Sequence, residues 1–236
     1  MKNIFNFLRF VIAITLLVFM MYLSNISLEN KYCSLSNISI ELDENSFVTN
    51  DLIVSYLKEN MLHPDSTKLN EFSFTKIENL LMNHPSIKKA TVYSDWHGKI
   101  SIYIEQRQPI VRIQSDKGGY YIDEDGLKMP LSSHYTARKI LFSGDINSLN
   151  EDEIFLISKR IYNDKFLNKQ IVQIDVKESE LSLFTRMGEQ IEFGKIKNIN
   201  EKFMKLMMYY KYGNIKNTEY KKINIKYKNQ IVCIKK

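Results

Sequence analysis

The chain has 236 residues, 44% of them hydrophobic and 25% charged, with 8 glycines, 4 prolines and a net charge of +6. That balance belongs to a folded protein with a buried core, and excludes a disordered chain or one built from long flexible linkers. The positive charge is spread along the sequence, with Lys88-Lys89, Lys221-Lys222 and Lys235-Lys236 but no long basic block and no zinc-finger spacing. It reads as a lysine-rich solvated surface near an anionic membrane, and not as a nucleic-acid groove.

From Phe10 to Leu23 the sequence FVIAITLLVFMMYL carries no charge and no polar face. A buried helix of a soluble domain would show one. Extended back to Ile4 the segment is long enough to cross a bilayer, provided Arg9 snorkels to the inner interface. Lys2 and Arg9 precede the apolar run and Glu29 follows it, which places the N-terminus in the cytoplasm and everything after Ser24 outside. No A-x-A pattern follows, so residues 1–23 are expected to be a short cytoplasmic tail and an uncleaved signal anchor; a cleaved signal peptide is the alternative. Residues 24–36 are expected to form a stalk.

An alternating run, Asn37 to Leu42, predicts a half-buried strand. Thr49 is placed to cap a helix whose stripe is Leu52, Ile53, Tyr56 and Leu57. The polar stretch His63-Pro64-Asp65-Ser66-Thr67 ends it. A second helix is expected over about 75–83, with Ser73 or Thr75 as its cap, a capping box from Thr75 to Glu78 in the latter case, and a face of Phe74, Ile77 and Leu81; His84-Pro85 stops it. Two alternating strands follow, 89–93 and 100–105, joined by the turn Asp95-Trp96-His97-Gly98. The order is β-α-α-β-β, a small sheet with one face for two helices to cover. Trp96 at the turn is expected to be a packing or partner-contact residue.

Beyond Ile110 the pattern is strand-rich. Residues 111–114 and 120–123 flank a Lys117-Gly118-Gly119 turn; Asp123 to Gly126 form another turn, leading into Leu127 to Leu131. A helix is predicted from Asn150 or Glu151 to Tyr162 on the stripe Ile154, Ile157 and Ile161, and strands near 171–176, 181–185 and 190–193. Another helix carries Phe203, Leu206, Met207 and Tyr210. The chain ends on alternating runs at 222–227 and 230–234 about Lys228-Asn229.

Motifs for chemistry are missing. His63, His84, His97 and His134 lack metal-ligand spacing, and Asp123-Glu124-Asp125 lacks the remaining calcium ligands, so a turn is the better reading. There is no GxSxG, SxxK or P-loop. With no CxxC, Cys33 and Cys233 are expected to be two separate thiols.

The stretch IENLLMNHPSIKKATVYSDWHGKISIYIEQRQPI, Ile77 to Ile110, resembles the POTRA domain of the FtsQ/DivIB cell-division proteins. The segment YYIDEDGLKMPLS resembles the I-D-x-x-G turn that begins their β domain, and the terminal INIKYKNQIV resembles their closing strand. The resemblance implies an α+β protein: an N-terminal transmembrane helix, a POTRA-like β-α-α-β-β domain at 37–110, then a mixed β-rich domain with two helices at 111–236. It implies a non-enzymatic divisome scaffold in the cytoplasmic membrane, enriched at the division site, its bulk extracytoplasmic or periplasmic, that helps control septal cell-wall synthesis. The implied partners are FtsB-like and FtsL-like small coiled-coil proteins and the lipid bilayer, with no cofactor, metal, nucleic acid or small-molecule substrate. Partner binding is expected at Ile223, Asn224, Ile225, Lys226 and Tyr227, by β-augmentation of an edge strand. The alternative is a POTRA-containing transport or envelope-assembly factor; a cell-wall hydrolase would need catalytic side chains that no motif supplies.

Overall fold

The computed structural model describes residues 2–29, 31–41, 46–115, 118–213 and 220–235. The first element, α1 (Lys2–Glu29), is one continuous helix. Its Asn6–Ser24 portion has a mean hydropathy of 2.2 and none of it is buried, so by length and composition it can cross a bilayer. Part of the expected stalk at 24–36 is therefore helical. The rest is tied down at once: the Leu69 N–H donates to the Lys31 carbonyl and the Cys33 N–H to the Thr67 carbonyl.

The chain divides into two compact units, residues 1–106 and 107–236. In the first, β1 (Ser34–Ile40) leads to α2 (Asn50–Glu59) and α3 (Phe74–Met82), then to β2 (Ile87–Ser94) and β3 (Lys99–Gln106). Leu42, expected at the end of the first strand, lies outside the described residues. The Thr49 hydroxyl accepts the Leu52 N–H at 3.3 Å, and Ile53 and Leu57 are fully buried. Helix α3 starts from Ser73, one of its two expected caps, and the expected capping box does not form. Ser73 stands at its cap without a side-chain hydrogen bond, and Glu78, expected in a capping box, instead accepts the Val92 N–H at 2.9 Å. That bond fastens the helix to the sheet.

Strand β3 is central, antiparallel to β2 and parallel to β1. A parallel neighbour needs a crossover, and the two helices supply it. Val92 faces Ile102 and Ala90 faces Ile104 across the ladder, and all four are buried with Ile77 and Leu81. Gln106, also buried, accepts the Phe47 and Val48 N–H groups and donates to the Glu41 carbonyl. Its amide is thereby satisfied where an unpaired one would be costly.

The second unit is a nine-stranded sheet. Strands β4 (Pro109–Ser115), β5 (Gly118–Asp123) and β6 (Lys128–Pro130) form an antiparallel meander; Lys117 of the expected turn is outside the described residues. Asp123, wholly buried, shapes the next turn. Its Oδ1 accepts the Asp125 and Leu127 N–H groups at 2.9 and 2.8 Å, and its Oδ2 accepts from Arg107 at 2.9 Å. The acidic run is thus a turn built on one internally paired carboxylate.

A strand that the pattern did not reveal, β7 (Ile140–Gly144), follows. It lies parallel to β4 and to β8 (Ile171–Lys177). Between β7 and β8 run α4 (Glu151–Tyr162), with a capping box between Asn150 and Glu153, and α5 (Lys165–Gln170), a short helix additional to the two expected. Gly144 has φ +90°, and a Cβ there would lie 2.2 Å from the Val176 carbonyl oxygen, so only glycine allows β7 to leave the sheet at that point. Strands β9 (Glu180–Thr185) and β10 (Gln190–Gly194) continue antiparallel, α6 (Ile199–Met208) crosses back, and β11 (Tyr220–Asn224) and β12 (Val232–Lys235) close the sheet. The order is β12-β11-β10-β9-β8-β7-β4-β5-β6.

On α6, Phe203 and Leu206 are buried as the stripe requires, but Met207 is exposed and Tyr209 is buried in place of Tyr210. Phe203, Leu206 and Tyr209 follow one another at i, i+3 and i+6, so the buried stripe runs one position off the expected one; the winding widens to a π-helix from Tyr209 to Gly213. Core packing in the first unit is open to direct test. Leu81→Ala is expected to cost about 2–5 kcal/mol by chemical denaturation; a loss below about 0.5 kcal/mol would show that this helix face is not core.

Candidate functional site

Among the described residues no group of three His, Cys, Asp or Glu side chains could hold a metal ion. A groove of about 580 Å³ lies between α4 and the start of α6, but its cations are committed. Lys159 donates to the Glu124 carbonyl, and Arg160 donates to Asn200 and Asp164. The residues expected to bind a partner lie on the C-terminal hairpin.

The five residues expected to bind a partner do not form a free edge. Strand β11 pairs with β10 on one side and β12 on the other, and it ends at Asn224. Ile223 and Ile225 are fully buried in the core of the second unit. The Ile225 N–H donates to the Glu192 carbonyl at 3.0 Å. The Asn224 amide donates to Glu192 at 2.6 Å and accepts the Lys226 N–H at 3.0 Å, while Lys226 reaches Glu180 at 2.6 Å. Tyr227 has an exposed ring, and its carbonyl accepts from Lys205. The physical reason is the register. The buried Ile223 and Ile225 hold the strand inside the sheet, and the run 230–234 folds back over its outer side at Asn229, a residue with φ +63°.

Among the described residues the open edge therefore lies one strand further on. Main-chain groups alternate sides along a strand. Because Ile225 bonds toward β10, Ile223 does so too, and Asn224 and Lys222 bond toward β12. Their partners there are Val232 and Ile234. Cys233, opposite Ile223, is left with its N–H and carbonyl pointing away from the sheet. Side chains alternate in the perpendicular sense. Val232 and Ile234 are 44% and 56% exposed, whereas the Cys233 thiol packs against the core as a free cysteine and burial raises its pKa. Sequence reasoning found this strand but not its place at the edge. The available signal was its position as the last alternating run, beyond a turn.

Residues 108–234 match the FtsQ/DivIB, C-terminal related family, and residues 31–105 match the POTRA-like domain. The chain belongs to the FtsQ/DivIB, C-terminal related family. It is a cell-division protein with a helix suited to a single membrane crossing, from a family that is not enzymatic. No curated protein matches the chain.

In this FtsQ/DivIB relative the hairpin is held by two kinds of force. Burial of Ile223 and Ile225 is the larger. The Lys226–Glu180 pair is partly exposed, at 36% and 43%, and belongs to the class worth at most about 1 kcal/mol. Its hydrogen bond lowers the Glu180 pKa and raises that of Lys226. A lowered carboxyl pKa contributes stability that is present above the unfolded value and lost as pH falls through the folded one. A raised lysine pKa contributes stability that is present below its unfolded value and lost as pH rises through the folded one. The pair therefore acts across the neutral range and fades at both extremes. Glu180→Gln is expected to cost less than about 1 kcal/mol at neutral pH and nothing once acid has protonated the carboxylate. Thermal unfolding of both proteins across the acid range checks it; an undiminished difference in acid would assign the effect to packing.

Proposed function

We propose that this protein is a divisome scaffold that captures a strand of a partner on the outer edge of β12 and so helps to control septal cell-wall synthesis. The observation that carries the reading is the outward-facing main chain at Cys233, flanked by the exposed Val232 and Ile234. Strand addition draws affinity from main-chain hydrogen bonds and partner choice from alternate side chains, and β12 offers both. The residues first expected at the site act in its support. Ile223 and Ile225 fix the hairpin, while Asn224, Lys226 and Tyr227 lie on the support of the edge or beside it. Small coiled-coil membrane proteins of the FtsB and FtsL kind suit the site as partners, because they bring a chain segment to the same membrane. The bias of Lys2 and Arg9 supports a cytoplasmic N-terminus with both folded units outside, and the family supports enrichment at the division site. A transport or assembly role gains nothing from the second unit, which carries the family match.

The edge is tested by a pair of variants at one position. Cys233→Ala keeps the outward N–H and is expected to retain partner capture. Cys233→Pro removes that donor while sparing the bonds of Val232 and Ile234 to β11. It is expected to keep its circular dichroism and to lose roughly two- to twelvefold in capture, the range for one main-chain bond. Ile234→Asp, on an exposed side chain, provides a second variant that leaves the core intact. Full capture by folded Cys233→Pro and by Ile234→Asp would place the partner elsewhere. Topology has its own readout: alkaline phosphatase fused at the C-terminus is expected to be active, and an inactive fusion beside an active cytoplasmic reporter would reverse the orientation.

A further inference from the structure

We propose that the turn between β2 and β3 is a membrane-surface anchor, with the rings of Trp96 and Tyr32 lodged in the headgroup layer of the bilayer that α1 crosses. This goes beyond the C-terminal edge and does not depend on it. Trp96 is 76% exposed and Tyr32 63% exposed, which excludes packing as the role of either ring. Both sit on backbone that is unusually well fixed for an exposed turn. Oδ1 of Asp95 accepts the His97 and Lys99 N–H groups at 2.8 and 2.9 Å. The Ser34 N–H donates to the Gly98 carbonyl at 3.0 Å. Gly98 has φ +83°, and a Cβ on it would stand 2.9 Å from the Tyr32 carbonyl oxygen, so the turn lies directly against residue 32. The Lys31 ammonium completes the clamp by donating to the Trp96 carbonyl at 2.8 Å.

Chain connectivity gives the distance to the membrane. The apolar span ends at Ser24 and the helix at Glu29. At 1.5 Å per helical residue and at most about 3.5 Å per residue beyond, Lys31 lies within about 15 Å of the end of the span. The headgroup layer occupies roughly the first 5–8 Å of that interval. A turn hydrogen-bonded to Lys31 is thus held within reach of the lipid surface. Its chemistry matches that surface: tryptophan and tyrosine, each with an apolar body and a polar tip, are the residues enriched at headgroup depth. Lys31, Lys99 and Lys68, the last bridged to Tyr32 through the backbone, supply positive charge for anionic headgroups; of the carboxylates on the same segments, Asp95 is engaged by the turn itself and Asp65 by the Leu35 N–H, while Glu29 and Glu71 oppose that charge in part.

Trp96 is the single tryptophan of the chain, so its fluorescence reports this turn alone. The full chain is reconstituted in phosphatidylcholine–phosphatidylglycerol vesicles, with flotation confirming insertion of α1 independently of Trp96. The expected result is an indole poorly quenched by acrylamide in the water, and strongly quenched by lipids brominated near the headgroup and less by lipids brominated near the methyl end. Free access of acrylamide with no effect of either brominated lipid in floated vesicles would overturn the proposal, and would leave Trp96 as a contact for a protein partner.

Discussion

The second unit depends on five residues. Strand β7, Ile140–Gly144, is the only strand that joins the meander β4-β5-β6 to the strands β8 to β12 in the sheet among the described residues. It is parallel to both neighbours, and parallel strands cannot be joined by tight turns. Helices α4 and α5 are what that constraint demands: the chain must leave the sheet after Gly144 and return beside β7 as β8. The core is continuous because of it. Ile113, Phe142, Ile174 and Leu183 are each fully buried in one cluster that extends to Ile223 and Ile225. The hairpin that carries the candidate edge is therefore the far end of a single packed surface.

The sequence disclosed the parts of this fold whose patterns are long. The stripe of α2, the Ile154-Ile157-Ile161 face of α4, and the alternation of β2 and β3 each repeat often enough to be unambiguous. Strand β7 was hidden because three apolar residues before Ser143-Gly144 are too few to show a period. Helix α5 was hidden for a similar reason, although its start is marked by Asp164, whose Oδ1 accepts the Phe166 and Leu167 N–H groups. Lys202 shows another limit. Its place on α6 reads as surface, yet it is 9% exposed and donates to the Phe193 and Lys195 carbonyls, and burial lowers its pKa. A long flexible stem allows a lysine to serve as a bond between backbone segments that no sequence pattern records.

The position of the open sheet edge was legible to within one strand. Alternation identified both closing runs, 222–227 and 230–234, because alternation is local. Which of them stands at the edge is a matter of pairing between distant segments, and β11 is drawn inside by β10, some thirty residues earlier in the chain. The parallel register Ile191 to Ile223 cannot be read from either strand alone. Exposed turns present the opposite case. Trp96 stood out from its type and position, and only the hydrogen bonds of Lys31 and the backbone approach at Gly98 show why it is held where it is.

An unpaired edge on a membrane-tethered protein carries a hazard. Confinement to a plane raises the local concentration of neighbouring copies, and open strands can template sheets between identical molecules. Strand β12 is only Val232–Lys235, and a lysine ends it. Two such edges laid side by side would gain only a few hydrogen bonds. Crowding alone then does not drive copies into a shared sheet. Brevity thereby limits how far the edge can template a sheet between copies.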